Sequence, residues 1–329
     1  MDYIRKYFDP GQHRGEGERR RLDDNDTFEW KEGKDETQVH VFAPKVTLAV
    51  NIAMAARRPL LISGEPGSGK STLARAVAKV LGAEYFAHVV TSRTQASDLL
   101  WTHDALQRLN DATSRDENVR PARYYVEPGA LWWAFDPATA TNRGVEALPP
   151  ENQASRRMPL DGKTSDRAVV LVDEIDKADP DVPNDLLEPF DLKRFTVRET
   201  GDTIVSTRNV NLIVTTNGER ELSPAFLRRC VVLTLEEPQA PWLCEVAARW
   251  FPDGDRDLQV RIADEVMRLR ETAGKNELRK PSTAEYLDAL RVCAELRVDE
   301  KWSDWKKIVA AVLVKRDGPG ATVETLMGD

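Results

Sequence analysis

Cysteine is scarce in this 329-residue sequence, which has three, at Cys230, Cys244 and Cys293. Their wide spacing and odd number favour buried thiols in a reducing cytosol over a disulfide framework or a zinc site. The sequence also lacks any apolar run of about 18 residues. Its N-terminus carries charges where a signal peptide has an apolar stretch. We therefore expect a cytoplasmic protein with neither a membrane span nor a secretion signal.

An excess of positive charge is also missing. The sequence has 47 Lys and Arg against 55 Asp and Glu, which gives a net charge of −8. This balance excludes a polycation that binds nucleic acid through bulk charge, although it leaves room for a local basic patch. The four histidines, at positions 13, 40, 88 and 103, show no pair at ligand spacing. A metal site other than one for Mg²⁺ is therefore not expected.

The length predicts about two domains, and the sequence pattern changes twice along the chain. Residues 1–43 are dense in charge and predict a mobile or partner-dependent N-terminal arm. Residues 44–237 have the pattern of an α/β core. Within it, residues 136–166 are rich in Pro, Asn, Arg and Gly, and they predict an exposed insertion. Residues 238–329 predict a separate helical domain, because their apolar residues recur with helical period.

Two kinds of apolar pattern support this division. Near-continuous apolar runs predict strands buried on both faces, hence a parallel sheet with helices on each side; they occupy residues 59–63, 86–90, 168–172, 212–216 and 230–235. Stripes of helical period predict three C-terminal helices: Leu258, Ile262, Val266 and Leu269, then Thr283, Leu287, Leu290 and Ala294, then Trp302, Trp305, Val309 and Val312.

A glycine-rich loop follows the first of these strands and precedes an amphipathic helix. Its sequence, Gly64-Glu65-Pro66-Gly67-Ser68-Gly69-Lys70-Ser71, matches G-x-x-x-x-G-K-[ST] in full. In such a loop the backbone N–H groups surround phosphate oxygens, the lysine reaches the β and γ phosphates, and the hydroxyl at the last position ligates Mg²⁺. Thr72 follows and is better suited to begin the helix than to act as a ligand. We therefore predict that residues 64–72 bind a nucleotide, with Ser71 on the metal.

Two consecutive carboxylates end another predicted strand, in Val169-Val170-Leu171-Val172-Asp173-Glu174. A strand delivers its last residues to the carboxyl edge of a parallel sheet, where the metal of a nucleotide would lie. Asp173 can hold Mg²⁺ through water, and Glu174 can orient and polarise an attacking water. The next strand ends in Thr215-Thr216-Asn217. If the two strands are neighbours, Asn217 lies beside Asp173 and helps to hold the water near the γ-phosphate.

These elements, in this order, resemble the AAA+ ATPases and, within them, the MoxR-like group. The likeness covers roughly residues 44–300. The loop at 64–71 resembles Walker A, residues 169–174 resemble Walker B, and Thr216-Asn217 resembles the sensor-1 segment. Weaker likenesses lie at residues 91–99, 127–131 and 185–188. The segment Leu222-Ser223-Pro224-Ala225-Phe226-Leu227-Arg228-Arg229-Cys230 is similar to the one that carries the arginine finger.

The resemblance implies a three-layer αβα core with strand order 5-1-4-3-2 and a C-terminal helical lid. It also implies Mg²⁺ and ATP at the interfaces of a ring, usually a hexamer, with Arg228 or Arg229 acting on the neighbour's nucleotide. Either arginine could instead pair with Glu219 or Glu221. One position departs from the family pattern: Ala284 stands where the sensor-2 arginine is expected. Either Arg279 or Lys280 replaces that arginine, or the site has no such cation.

Two functions from different classes are consistent with these residues. The first is a MoxR-like ATPase that remodels or activates a protein partner; the resemblance suggests a von Willebrand factor A domain protein. The second is the motor of a nucleic-acid-processing or defence system, in which Arg143, Arg156, Arg157 and Lys163 would form a basic contact. A small-molecule kinase is disfavoured, because it would not require Glu174, Asn217 or the C-terminal helices.

Overall fold

The computed structural model describes residues 3–4, 6–11, 19–20, 26–32, 36–113, 119–154, 165–276, 280–298 and 312–313. The strands are Tyr3–Ile4 (β1), Arg19–Arg20 (β2), Asp26–Glu32 (β3), Glu36–Phe42 (β4), Leu60–Ser63 (β5), Glu84–Val89 (β6), Trp101–His103 (β7), Val126–Pro128 (β8), Arg167–Asp173 (β9), Arg194–Thr196 (β10), Thr203–Val205 (β11), Asn209–Thr216 (β12) and Val231–Thr234 (β13).

The helices include several around the sheet and three near the C-terminus. They are Pro44–Ala56 (α1), Lys70–Leu81 (α2), Ala105–Thr113 (α3), Ala130–Phe135 (α4), Pro137–Thr141 (α5), Val182–Leu192 (α6), Pro224–Arg229 (α7), Ala240–Trp250 (α8), Arg256–Asn276 (α9) and Thr283–Glu295 (α10). The chain divides into two compact units. The first comprises residues 1–28, 42–63 and 71–234, and the second comprises residues 29–41, 64–70 and 235–329.

A five-stranded parallel sheet with the order β13-β5-β12-β9-β6 forms the centre of the first unit. Counted along the chain within this sheet, the order is 5-1-4-3-2, so the predicted α/β fold and its strand order are confirmed. Residues 168–172 of β9 are each at most 2% exposed, because helices such as α4 pack on a sheet whose strands are apolar on both faces. Trp132 and Phe135 of α4 are fully buried in this core.

The segment predicted to be an exposed insertion, residues 136–166, contains buried residues in the part that the structure describes. Ala140 and Ala154 are buried in the same core as the sheet residues. Arg143 is 8% exposed and donates to the carbonyl oxygens of Val126 and Asn152 and to the Glu127 carboxylate, at 2.7 Å. These acceptors compensate for burying the charge, which composition alone does not reveal. Residues 155–164 lie outside the described residues.

The N-terminal arm predicted over residues 1–43 also contains residues that pack on the first unit. Phe8 is 1% exposed and contacts the ring of Phe42, with 5.3 Å between centroids. The Asn51 side chain of α1 accepts hydrogen bonds from the N–H groups of Tyr7 and Phe8 and donates to the Phe8 carbonyl oxygen. One buried amide side chain thus accepts from two backbone N–H groups and donates to a backbone carbonyl oxygen. These hydrogen bonds hold residues 7–8 in place despite the charged residues nearby in the sequence.

The second unit has its own apolar core, built from α8, α9 and α10. Leu258, Ile262 and Val266 of α9 are buried in it, as the first predicted stripe requires. Of the second predicted stripe, Leu290 is buried and Leu287 is partly buried, whereas Ala294 is exposed, because α10 turns Tyr286, Ala289 and Cys293 into the core instead. Ser282 caps α10 in a capping box with Glu285. Of the third predicted stripe, residues 302, 305 and 309 lie outside the described residues.

Of the three cysteines predicted to be buried thiols, Cys230 and Cys293 are buried and Cys244 is partly buried. All three cysteines are free thiols, and burial raises the pKa of Cys230 to about 12. Across the described residues no helix has both the length and the apolar character needed to span a membrane.

Candidate functional site

The pairing of β9 with β12 brings the predicted carboxylates and the predicted asparagine to one edge of the sheet. The strands run parallel, with Val172 opposite Val214. Asp173 therefore ends β9 close to where Thr215 and Thr216 end β12, and Glu174 and Asn217 follow the two strands. Since the carboxyl ends of parallel strands form the usual ligand side of an open α/β sheet, this edge is the candidate site of the first unit.

Ser71 and Asp173 form the first contact in this site. The Ser71 hydroxyl, on the first turn of α2, donates to Asp173 Oδ2 at 2.8 Å and to Oδ1 at 3.0 Å. A hydroxyl and a carboxylate are hard oxygen donors, and Mg²⁺ commonly binds through one or two such groups together with substrate phosphates and water. The two predicted metal ligands are therefore adjacent, and their chemistry fits that ion.

Glu174 has a left-handed backbone conformation, with φ 60° and ψ 49°. In an extended strand, consecutive side chains point to opposite faces, so Asp173 and Glu174 would diverge. The left-handed residue breaks this alternation at a cost of about 1–2 kcal/mol for a residue with a Cβ. The Glu174 N–H donates to Thr215 Oγ1 at 2.9 Å, which helps to hold this strained turn.

Both carboxylate oxygens of Glu174 have partners. Oε1 accepts from Asn217 Nδ2 at 3.2 Å, and Oε2 accepts from Lys177 Nζ at 2.6 Å. The hydrogen bond to Glu174 raises the pKa of Lys177 above its ordinary value. Asn217 thus contacts Glu174, whereas the sequence suggested a place beside Asp173. Lys177 was not predicted as a site residue. It could have been identified by its position three residues after Glu174, at the end of the 3₁₀ turn Ile175–Lys177.

Two further residues of this site were also missed. Thr215 is fully buried, and its hydroxyl donates to Asp173 Oδ1 while it accepts from Glu174. Asp176 is 3% exposed, and its Oδ2 accepts from the N–H groups of Asn217 at 3.1 Å and Glu219 at 2.9 Å. Its burial is compensated by these two backbone donors, which lie just after β12.

The phosphate-loop residues 64–70 belong to the second unit. Gly67 and Gly69 have φ of 76° and 89°, a backbone region that residues with a Cβ rarely adopt. A Cβ at Gly67 would also lie 2.2 Å from the Cβ of Ser282, so glycine is required there. The Lys70 side chain is buried, and its Nζ donates to the carbonyl oxygens of Gly64 at 2.7 Å and Glu65 at 3.0 Å.

A cavity of about 280 Å³ in the second unit joins this loop to residues of the helical region. Residues 65–68 line it, together with Glu237, Pro238, Arg270, Lys280, Pro281 and Ser282. Arg270 is 5% exposed and donates to the carbonyl oxygens of Pro281 and Pro238, so its guanidinium already has structural partners. Lys280 is only partly buried, and its Nζ lies 3.5 Å from Glu237 Oε2. Ala284 is exposed on α10, and Arg279 lies outside the described residues.

Arg228 and Arg229 end α7, which begins at the capping residue Ser223. Both side chains are exposed. Across the part of the chain that the structure describes, neither forms an ion pair with Glu219 or Glu221. The alternative to an arginine finger, an ion pair with one of these two glutamates, is therefore not seen among the described residues. Within the same described ranges, no group of three or more His, Cys, Asp and Glu could hold a metal ion.

Comparison with known proteins gives one matching family and many distant structural likenesses, among them two to RuvB structures. The sequence profile of the AAA domain family (dynein-related subfamily) matches residues 59–230. A mutant RuvB from Thermotoga maritima and the T. maritima RuvB Holliday junction branch migration motor are each 15% identical, with 82% of this chain and 67% of theirs covered, at TM-scores of 0.45 and 0.44. Among curated proteins, no match is found.

Asp176→Ala is expected to loosen the turn that carries Asn217. The substitution removes the acceptor of two backbone N–H groups, which should lower the free energy of unfolding by about 1–3 kcal/mol. Amide hydrogen exchange at Asn217 and Glu219 should accelerate, whereas Asp179→Ala, at an exposed position of the same loop, should leave both amides unchanged. Unchanged exchange at both amides in Asp176→Ala would contradict this role.

Proposed function

Because the chain belongs to the AAA domain family (dynein-related subfamily), we propose that it is an ATP hydrolase. The observation that carries this proposal is the cluster at the sheet edge, where Ser71 contacts Asp173 and Asn217 contacts Glu174. A protein that only bound a nucleotide would need the first carboxylate but not the second. A carboxylate held beside the metal-binding group is what activation of a water requires.

Residues 64–72 bind the phosphates in this proposal. The left-handed glycines turn backbone N–H groups toward the ligand, and Lys70 is the only cationic residue of the loop. Its ammonium exchanges the carbonyl oxygens of Gly64 and Glu65 for the β and γ phosphates. Ser71 and Asp173 hold Mg²⁺, which when bound offsets negative charge on the phosphates.

Glu174 acts as the general base. It takes the proton of the attacking water while Asn217 sets the direction of the carboxylate through Oε1. Each carboxylate oxygen has two acceptor lone pairs, so the water can share Oε2 with Lys177. The product is ADP and inorganic phosphate, and the proton leaves through Glu174.

The exposed pair Arg228 and Arg229 supports action on a second subunit. Neither guanidinium has an ion-pair partner among the described residues, so each is available for a phosphate of a neighbour, where it would stabilise developing negative charge. We propose that one of the two is the finger and that the chain assembles into a ring. The hexameric state comes from the resemblance to MoxR-like ATPases.

Remodelling of a protein partner is the activity we favour, with a von Willebrand factor A domain protein as the partner that the resemblance suggests. One observation bears on the alternative, a nucleic-acid motor. Arg143, which would have contributed to a basic contact, is buried against Glu127 and two carbonyl oxygens. The two functions differ in a simple measurement, because a nucleic-acid motor would show DNA-stimulated hydrolysis that weakens steeply with salt.

Lys280 is our candidate for the cation that replaces the sensor-2 arginine. It lines the same cavity as residues 65–68, and its present partner, Glu237, is at the long distance of 3.5 Å. Arg270 lines the cavity too, but its guanidinium is engaged by two carbonyl oxygens. An ammonium with a weak partner can turn to a phosphate at little cost.

Glu174→Gln should preserve ATP binding and lower turnover by at least about 100-fold, because the amide keeps the shape of the carboxylate but cannot take a proton. Calorimetry measures the binding, and steady-state phosphate release measures the turnover. Lys70→Ala should lose tight binding instead, and Glu295→Gln, at an exposed position of α10, should match the wild type in both assays. Comparable turnover in Glu174→Gln would mean that another group activates the water.

Lys280→Met should weaken ATP binding about tenfold, the loss expected when one charge-assisted contact is removed. Lys280→Arg keeps the charge and should restore most of the affinity. Calorimetry on the full chain distinguishes the two variants. Equal affinity in Lys280→Met and the wild type would leave Lys280 as a partner of Glu237 alone.

Specific activity should rise with protein concentration through the range in which subunits associate, since an isolated subunit lacks its neighbour's arginine. The double variant Arg228→Ala/Arg229→Ala should bind ATP yet lose turnover. Mixing it with Lys70→Ala should recover part of the activity, because one subunit then supplies an intact loop and its neighbour intact arginines. Concentration-independent activity in a monomeric preparation, with no recovery on mixing, would show that both arginines are structural.

A further inference from the structure

Among the described residues, Thr215 is the one whose side chain contacts both Asp173 and Glu174. It lies near the end of β12 and is fully buried. Its hydroxyl hydrogen is donated to Asp173 Oδ1, and its oxygen accepts the Glu174 N–H at 2.9 Å. A single hydroxyl thus joins the side chain of one residue to the backbone of the next.

Only a small group that donates and accepts at the same atom can do this. A hydroxyl has one donor and two acceptor sites, whereas valine, which has the same shape, has neither. The adjacent Thr216 makes a different contact, because its hydroxyl accepts from the Gly218 N–H at 3.0 Å. The two threonines are therefore not equivalent, and only Thr215 faces the carboxylates.

Each of the two hydrogen bonds constrains a different part of the proposed chemistry. The hydrogen bond to Asp173 fixes the carboxylate that also accepts from Ser71. Its oxygens therefore stay directed toward Ser71 and the proposed metal site. The one from Glu174 holds a residue whose φ is 60°, so that the second carboxylate leaves the strand on the side where Asn217 can reach it.

We propose that Thr215 is a positioning residue that couples the metal-binding carboxylate to the general base. This inference rests on the proposed ATP hydrolysis. Without the hydroxyl, Asp173 can rotate away from Ser71, and the strained turn at Glu174 can relax toward extended backbone. Metal affinity and turnover then fall together, while the phosphate loop, which Thr215 does not touch, keeps its own affinity for ATP.

The test compares Thr215→Val with Thr215→Ser in the full chain. Mn²⁺, as a spectroscopic substitute for Mg²⁺, is titrated by electron paramagnetic resonance in the presence of a non-hydrolysable ATP analogue. Thr215→Val should raise the Kd of Mn²⁺ about tenfold, the effect of losing one charge-assisted hydrogen bond. It should also lower kcat at least about tenfold, because the base is misdirected. Thr215→Ser keeps the hydroxyl and should stay within about threefold of the wild type in both.

Thr47→Val is the matched control for a buried threonine. The Thr47 hydroxyl is buried on α1 and has no hydrogen-bond partner among the described residues, so valine should leave metal affinity and kcat unchanged. If Thr215 served folding alone, Thr215→Val would lower the melting temperature. The Kd of Mn²⁺, measured at a temperature below that melting temperature, would then stay unchanged. If Thr215→Val does not fold at the assay temperature, Thr215→Ala replaces it in the same comparison with Thr215→Ser.

Wild-type Mn²⁺ affinity and kcat in a folded variant without the hydroxyl would overturn the role of Thr215. A parallel loss in Thr215→Ser would overturn it as well, since the hydroxyl is present there. Failure of the proposed function looks different, because the wild type would then neither hydrolyse ATP nor bind Mn²⁺ more tightly with the analogue. That result would overturn the hydrolysis proposal and this inference with it.

Discussion

The parallel register between β9 and β12 is the constraint on which the candidate site depends. With Val172 opposite Val214, the two strands end together, and Asp173, Glu174, Thr215 and Asn217 share one edge. A shift of one residue would turn every side chain to the other face, so Thr215 would no longer face Asp173. What holds the register is apolar, since Val170, Val172, Leu212 and Val214 are all buried in one core. Hydrophobic packing therefore determines the geometry of the polar groups.

The same core contains charges whose burial is offset by backbone acceptors. Arg208 follows β11 and donates to the carbonyl oxygens of Trp133 and Ala134 at the end of α4. It also pairs with Glu84 at 3.2 Å, and both side chains are 7% exposed. The last carbonyls of a helix have no partner within the helix, so a buried guanidinium satisfies them where a cap would otherwise be needed. Arg143 is held in a similar way by the carbonyl oxygens of Val126 and Asn152.

These two arginines illustrate which features cannot be predicted from the sequence. The five strands and their order followed from apolar runs and from the resemblance, because burial on both faces leaves a pattern that is local in the chain. Ser71 followed from the phosphate-loop motif, and Asp173, Glu174 and Asn217 followed from residue type at strand ends. By contrast, the roles of Asp176, Lys177 and Thr215 depend on which atoms meet across neighbouring strands and turns. Nothing local distinguishes Arg143 from a solvated arginine or Asp176 from a solvated aspartate, since their partners are mostly backbone groups supplied by the fold.

The left-handed backbone at Glu174 also sets stability against activity at a single position. Glycine adopts φ near 60° without the steric cost that a Cβ brings, and asparagine adopts it more readily than glutamate does. A search for more stable variants, whether in evolution or in the laboratory, would therefore favour replacing the residue that the proposed chemistry needs most. In the proposed mechanism, glutamate at this position gives up stability for turnover, whereas glycine or asparagine would relieve the steric cost but could not take the proton of the attacking water.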